Sequence, residues 1–556
     1  MKRCAHWLAL ALLLCPAASG ASGAMRLGVN THFDQGWPLA SLEDVATARA
    51  HGIRDTISWG KVERTPGVYD FTAANSGYVG NACAAGLPVL LTLTPRNKAY
   101  DGGETVYSPQ GRQAFAAFAE AVAARFPCVT AFEIGNEING QALKGRMTAQ
   151  MPQSYIEIVR AVRDTVKPRH PRIRLLSGSS LSVATGFFDR LFGAGLLPLV
   201  DGVVVHPYLT VPEQLPAQIA RLRQAMARHG AEKPVWASEF GYYYPTPDAA
   251  PPHALKLITL LSAAGVQEAH WYALRDEPYY PNMGLFKGRT PKPALDMFRA
   301  VQTRLLAAGN ARRQDISGDP LSFVFRFGSG PYVVWGAGRA IRWAGDAKAW
   351  DARGRPIAVP VRLGDDPVIV DAPGGLTLGA QTVLTDTLTD FAGAGWSYHV
   401  ERAKGGEQPF GWIDWNWTPY IGAQQLPNFR ATGAVVTTAR PAQGNASALI
   451  ERYEAPGGER AFLSACFDAK PARAQTVRIM TQGKVLFSAL VSGQVRTPPL
   501  LLPPGAAVDI HYTAQVGGGA QPLRRRIRIL SAADNAPALC APGERDGGGE
   551  VPQPEV

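Results

Sequence analysis

The sequence predicts an α/β protein, a (β/α)8 TIM barrel followed by C-terminal β-sandwich domains, and three observations predict it. From Met25 to about Leu306, short apolar runs alternate with helix-like stretches, the rhythm of βα units around a parallel sheet. Eight such runs can be placed, enough to close a barrel. After Leu306 the rhythm changes to short strand-like segments such as SFVFRF, YVVWGA and VIVDAP, divided by Gly, Pro and Asp turns, as all-β domains require.

The eight runs are MRLGVNTHF, IRDTISW, LPVLLTLTP, VTAFEIGNE, IRLLSGSS, VDGVVVHPYL, KPVWASEF and VQEAHWYAL. A strand buried on both faces reads as such a run. Between them, 114–126 and 155–166 space their apolar residues as exterior helices do. An open doubly wound sheet would need a Gly-rich turn after its first strand, and none follows MRLGVNTHF. The expected organisation is a leader at 1–24, a barrel at 25–306, a small β domain packed on it at 307–385, and a jelly-roll-like sandwich at 386–532, a candidate carbohydrate-binding module. Residues 533–556, rich in Gly, Pro and charge, are expected to form a flexible tail.

Lys2 and Arg3, the apolar run from Trp7 to Leu14 and the small residues through Ala24 have the layout of a secretory signal, so a secreted or periplasmic protein is expected. Leu14 before Cys15 argues against a lipid anchor, which wants a small residue there. No later stretch is long and apolar enough to span a bilayer. Export sets the redox context. Outside the leader, Cys83, Cys128, Cys466 and Cys540 allow three pairings. Cys83 precedes the third strand and Cys128 the fourth, at the bottom of neighbouring barrel units, which favours Cys83 with Cys128 and leaves Cys466 with Cys540; free buried thiols are the alternative.

The formal charge of +11 falls by two to +9 once Lys2 and Arg3 leave. Such a surface attracts acidic polymers, an acidic polysaccharide among them. Nucleic acid is not expected, since no basic-aromatic recognition motif is present. Arg524-Arg525-Arg526 reads as a solvated strand edge. Zinc, serine-hydrolase and phosphate-loop chemistry also lack their signatures: there is no H-E-x-x-H, close cysteine pair, G-x-S-x-G or phosphate-binding glycine loop, so no cofactor is expected.

The carboxylates carry the chemistry. Glu137 closes VTAFEIGNE and Glu239 closes KPVWASEF, at the strand ends where a parallel barrel does its work. Their spacing of about three βα units takes strand four to strand seven, across the barrel. Glycosidic hydrolysis needs one carboxyl to deliver a proton and one to attack carbon or activate water. Glu133 shares the parity of Glu137 but lies deeper, as a buried structural partner.

These residues resemble the retaining glycoside hydrolases of clan A, families 39 and 5 in particular, including bacterial members that process exopolysaccharides. Asn136-Glu137 matches the acid/base pair ending strand four, and Glu239 in ASEFG matches the nucleophile. Arg54 and Trp59 in GIRDTISWGKVERTPGVYDF match strand two, His206 and Tyr208 in VVVHPYL strand six, and Trp271 strand eight. Gly135 and Ile138 depart from the Trp and Pro common in those families.

The resemblance implies that Glu239 attacks carbon while Glu137 acts first as acid and then as base, with retention of configuration. A like charge disfavours a second carboxylate, so an ionised Glu239 leaves the proton on Glu137. Arg54 and Tyr208 or His206 would orient Glu239, and Asn136 would bind the hydroxyl beside the anomeric carbon. Trp59 and Trp271 would offer flat faces to a sugar ring, with His32 and Asn97 adding polar contacts. The bland alternatives are a barrel salt bridge for Arg54, core packing for Trp59 and Trp271, and a satisfied core histidine for His206. GWIDWNWTPY is either a sugar platform or sandwich core. The resulting expectation is an endo-acting retaining hydrolase of a bacterial exopolysaccharide or related β-glycan. The alternatives are an exo-acting β-xylosidase-like enzyme and a non-catalytic polysaccharide-binding or export protein.

Overall fold

The computed structural model describes residues 23–532, apart from 73–75, 141–142, 147–150, 316–318, 403–405, 425–426, 431–434, 440–445, 455–459 and 515–519. Residues 1–22 of the expected leader, the expected tail 533–556 and Cys540 lie outside the described residues. Among the described residues no helix is long and apolar enough to cross a membrane.

The first barrel strands are Arg26–Asn30, Ile53–Thr56, Val89–Leu93 and Val129–Ile134. The fifth comes in two pieces, Arg174–Leu176 and Ser180–Leu181, followed by Val203–His206, Val235–Phe240 and Val266–Trp271. All pair in parallel, and the first pairs with the eighth, Arg26 opposite Glu268. The divided fifth strand completes the circle. Its first piece pairs with the fourth strand, its second with the sixth, and Leu176 bridges to Gly202. The (β/α)8 barrel expected from the alternating pattern is present.

Helices such as Pro109–Arg125 and Gln153–Val166 cover the outside. The first begins five residues before the expected 114, because Ser108 Oγ accepts the Gly111 N–H at 2.9 Å and Pro109 stands at the first helical position. Those are start signals that apolar spacing alone does not register. A disulfide joins Cys83 to Cys128, closing a span of 45 residues. In the chain-entropy picture such a closure stabilises by about 4 kcal/mol. Cys466 is buried in strand Ala461–Asp468.

Side chains facing the barrel axis form layers. Leu90, Ala131, Leu176, Val204 and Trp236 make an apolar floor. Two residues further along their strands come buried Thr92, Glu133, His206 and Ser238, a polar layer directly beneath the mouth. Period-two alternation produces this stacking.

Strand Ser322–Phe327 shows how the second β region is attached. Phe323, Phe325 and Phe327 join the main barrel core, while Val324 faces a smaller core with Val334 and Ile341. Trp335 and Lys256 both donate to Glu213 Oε1 at 2.9 Å, fixing this sheet to the barrel.

The last region is a two-sheet sandwich around Phe429, Phe467, Val477, Ile510 and Ile527. Strand Val383–Asp386 already pairs with Ala520–Leu530 in one of these sheets, so the sandwich begins a few residues before the expected 386. The arginine run on that strand is not a solvated edge. Arg525 is wholly buried with two 2.6 Å bonds to Glu451, and Arg526 and Arg528 both bind buried Asp386. Alternation sends Arg525 into the sandwich core and its neighbours to the opposite face.

Candidate active site

The fourth strand ends in an unusual turn. Gly135 has φ +94° and Glu137 φ +42°, both left-handed. Gly135 suits this because a Cβ there would meet Ile138 Cγ2 at 2.7 Å. The departures Gly135 and Ile138 are therefore one packing unit. The left-handed Glu137 backbone is held by Ser179, whose Oγ accepts the Glu137 N–H at 2.9 Å and whose carbonyl accepts Ile138 N–H at 2.8 Å. The Glu137 side chain remains 30 % exposed in the cleft.

Glu239 reaches the same cleft by another route. Ala237 pairs with Ala269 and Phe240 with Trp271, so the seventh strand carries one residue more than the eighth over this interval. That bulge turns Ser238 and Glu239 both toward the axis and sends Phe240 outward against Trp271. Glu239 is then gripped. Arg54 Nη1 donates to Oε1, and the Tyr208 hydroxyl donates to Oε2 at 2.6 Å. Burial alone would raise this carboxyl, but the charges of His206 and Arg54 with the Tyr208 and Arg54 hydrogen bonds outweigh it and hold the pKa at about 2.

Arg54 is itself fixed on four sides. Besides Glu239 it binds Asn30 Oδ1 at 3.1 Å, Asn136 Oδ1 at 2.7 Å and Glu133 Oε1 at 3.2 Å. Glu133 is thus a buried counterion. With the Asn136 oxygen engaged, its NH2 end is the donor left for a ligand.

His206 lies under both carboxylates, fully buried. Its Nδ1 is 3.1 Å from Glu137 Oε1 and 3.6 Å from Glu239 Oε2, and its Nε2 is 2.9 Å from Ser238 Oγ. Burial works against its charge, but Glu239 and Glu137 prevail and raise its pKa. One oxygen of Glu137, one of Glu239 and a ring nitrogen of His206 lie within 4.8 Å of one another. These are donor types that hold metals, yet their atoms are committed to Arg54, Tyr208, Ser238 and each other, and an arginine in contact opposes a cation. The set fits proton transfer and nucleophilic attack by a carboxylate better than metal binding.

The cleft above has a volume of about 690 Å³, in the range of small-molecule sites. His32, Arg54, Asn136, Glu137, Tyr208 and Glu239 line it. His32 Nδ1 approaches Glu277 Oε1 at 2.8 Å. Asp55 also lines the cleft, and burial pushes its carboxyl up to about 7 against hydrogen bonds from Thr31, Thr56 and Phe33.

Three residues expected to touch sugar, Trp59, Asn97 and Trp271, do not line this cleft. Trp59 is buried in the helix layer, stacked on Tyr100 and Phe118 and donating to Glu63. Asn97 is buried too, donating to the Glu63 carbonyl at 2.8 Å and accepting from Ala99 N–H at 2.9 Å. Trp271 is wholly buried, stacked on Tyr244 and donating to the Met283 carbonyl. His206 sits beneath the carboxylates and positions them. Parity explains the eighth strand: Glu268 and His270 are buried on the axis side, so Tyr272 is the next to face the cleft and Trp271 faces the helices.

Besides Tyr208, the aromatic lining comes from Tyr243, Tyr272, Tyr280 and Trp417. The triplet Tyr242-Tyr243-Tyr244, directly after the seventh strand, was a readable signal for the first. Trp417 belongs to GWIDWNWTPY, and it is not part of the sandwich core: it reaches the barrel mouth.

No protein-family model matches the chain, and no curated protein matches it. Solved structures do. A family 39 glycoside hydrolase from the gut symbiont Bacteroides cellulosilyticus WH2 superposes with a TM-score of 0.53 at 19 % identity, over 63 % of this chain and 81 % of that one. A family 39 β-xylosidase from Caulobacter crescentus gives 0.47 at 17 % identity, over 64 % and 98 %. The chain shares with the first of these a fold, a barrel carrying β domains, in which the cleft described above occupies the mouth.

Proposed function

We propose that this protein is a retaining glycoside hydrolase, with Glu239 as nucleophile and Glu137 as acid/base. The observation that carries this reading is the unequal treatment of two neighbouring carboxylates. Glu239 is ionised and aimed by Arg54 and Tyr208, whereas Glu137 stands open to the cleft. One oxygen of each lies within 4.8 Å of the other, a close approach that supports direct attack over the ~6.5–9.5 Å between carboxyl groups that admits a water between acid and base. In the first step Glu137 protonates the departing glycosidic oxygen as Glu239 forms an ester with the anomeric carbon. In the second, Glu137 takes a proton from water, which displaces Glu239.

The finer proposal is an exported enzyme that cuts within a bacterial exopolysaccharide or related β-glycan. The leader-like N-terminus and the net positive charge support it. NMR observation of the first product anomer tests the mechanism: retained configuration is expected, and inversion would refute the role of Glu239. A digestion time course tests the mode of action, since internal cuts shorten chains before monosaccharide accumulates, whereas immediate monosaccharide release would make the enzyme exo-acting.

A further inference from the structure

Trp417 comes from the sandwich, some 280 residues after the acid/base turn it adjoins. Strands Trp412–Ile413 and Tyr420–Gly422 pair antiparallel, and residues 414–419 form the loop between them. The barrel holds that loop at several points. Arg221 pairs with Asp414 Oδ1 at 2.7 Å and lies 4.6 Å over the Trp412 ring. Asn139 Nδ2 donates to the Asn416 carbonyl at 2.6 Å, and Arg190 donates to the Asn416 side chain. Gly186 runs so close beneath that a Cβ there would meet the Asp414 carbonyl oxygen at 2.1 Å.

The loop is therefore docked, and it places Trp417 in the cleft wall with Gly140 and Leu181. Asn139 ties this wall to the chemistry. It lies two residues after Glu137, and besides Asn416 it exchanges hydrogen bonds with the Leu181 carbonyl at 3.1 Å and the Leu181 N–H at 2.8 Å. The indole N–H of Trp417 is buried and meets no acceptor among the described residues, so it is the ring rather than its N–H that lines the cleft.

We propose that Trp417 forms the leaving-group subsite, stacking on the sugar ring that departs with the oxygen protonated by Glu137. The inference rests on the hydrolase reading and narrows it to substrates whose leaving group is itself a sugar, oligosaccharides or polymers. The chemistry fixes the side. The acid must touch the glycosidic oxygen, so the departing ring lies next to Glu137, where Trp417, Gly140 and Leu181 are. As the bond from anomeric carbon to oxygen breaks, the Glu137 proton goes to the departing oxygen and the new hydroxyl-bearing sugar rests on the indole face. An aromatic face suits the apolar face of a sugar ring.

The test separates the leaving group from the rest of the substrate. β-Glucosyl, β-galactosyl and β-xylosyl fluorides, whose leaving group has no ring to stack, are compared with the matching β-linked disaccharides. Trp417→Ala is expected to lose about tenfold in kcat/KM on the disaccharide, about 1.4 kcal/mol, and to stay within about twofold on the fluoride. Trp417→Phe is expected to recover most of the loss, which separates stacking from a folding defect, and thermal melts of both variants check the docking of the loop. An equal fall on fluoride and disaccharide, or no fall on either, overturns the proposal, as does a parent enzyme that hydrolyses fluorides but no disaccharide. If the parent hydrolyses neither fluorides nor disaccharides and shortens no member of a panel of exopolysaccharides and β-glycans, the hydrolase reading fails and this inference falls with it.

Discussion

The molecule contains the same trio of side chains twice. At the barrel mouth Arg54 and Tyr208 bind Glu239, the tyrosine at 2.6 Å; in the sandwich Arg525 and Tyr512 bind Glu451, the tyrosine at 2.8 Å. Both carboxylates are fixed by a guanidinium and a phenol. What differs is the surroundings. Glu451 and Arg525 have no solvent exposure, whereas Glu239 opens into a cleft and has Glu137 beside it. An arginine–glutamate–tyrosine trio is therefore a structural device in one place and a candidate nucleophile in the other. Access and a second carboxylate make the difference.

That contrast can be broken most forcefully at the glutamates. Glu239→Gln should lower kcat on the order of 10⁴-fold or more, as expected when a nucleophile is removed, while calorimetric melting shows a folded protein. A comparable rate in the mutant would end the comparison. Arg525→Leu should do the reverse: leaving Glu451 buried without its partner should cost about 3–5 kcal/mol of stability, read by denaturant unfolding, with hydrolysis per folded molecule unchanged.

The tyrosines sharpen it. Each loses a hydrogen bond to a charged group on conversion to Phe, worth about 1.5–3 kcal/mol. Tyr512→Phe should show this as lost stability, and Tyr208→Phe as lost activity, about tenfold or more in kcat/KM. Tyr208→Phe should also move the acid limb of the pH profile upward, because a donor to the ionised Glu239 has been removed. An unmoved limb would separate Tyr208 from the titration of Glu239.

A further effect is in stability against pH. Glu239, held at about 2, is depressed below its unfolded value of about 4.3. Its contribution is present above that unfolded value and disappears as pH falls through the folded one. Glu239→Gln should therefore lose stability less steeply than the parent between pH about 4.5 and 2, measured by thermal melts at each pH.

The barrel was legible because its strands are apolar runs with short punctuation, and the two glutamates because they close two of those runs. The eighth-strand face was not. Trp271 stands out by size, but the parity that puts Glu268 and His270 on the axis selects Tyr272. The bulge that aims Glu239 is a relation between two strands, visible only once Ala237 and Phe240 are paired with Ala269 and Trp271. Long-range pairs were equally hidden: nothing near Arg525 in sequence indicates Glu451, and nothing near Trp417 indicates Asn139.

The most direct test of the central claim is to trap the intermediate. A 2-deoxy-2-fluoro glycoside with a good leaving group slows the second step more than the first, so the ester should persist long enough for mass spectrometry of the intact protein. One sugar added per chain, mapped to the peptide containing Glu239 and absent from Glu239→Gln, is the predicted result. A label on Glu137, or turnover with inversion and no label at all, would contradict it.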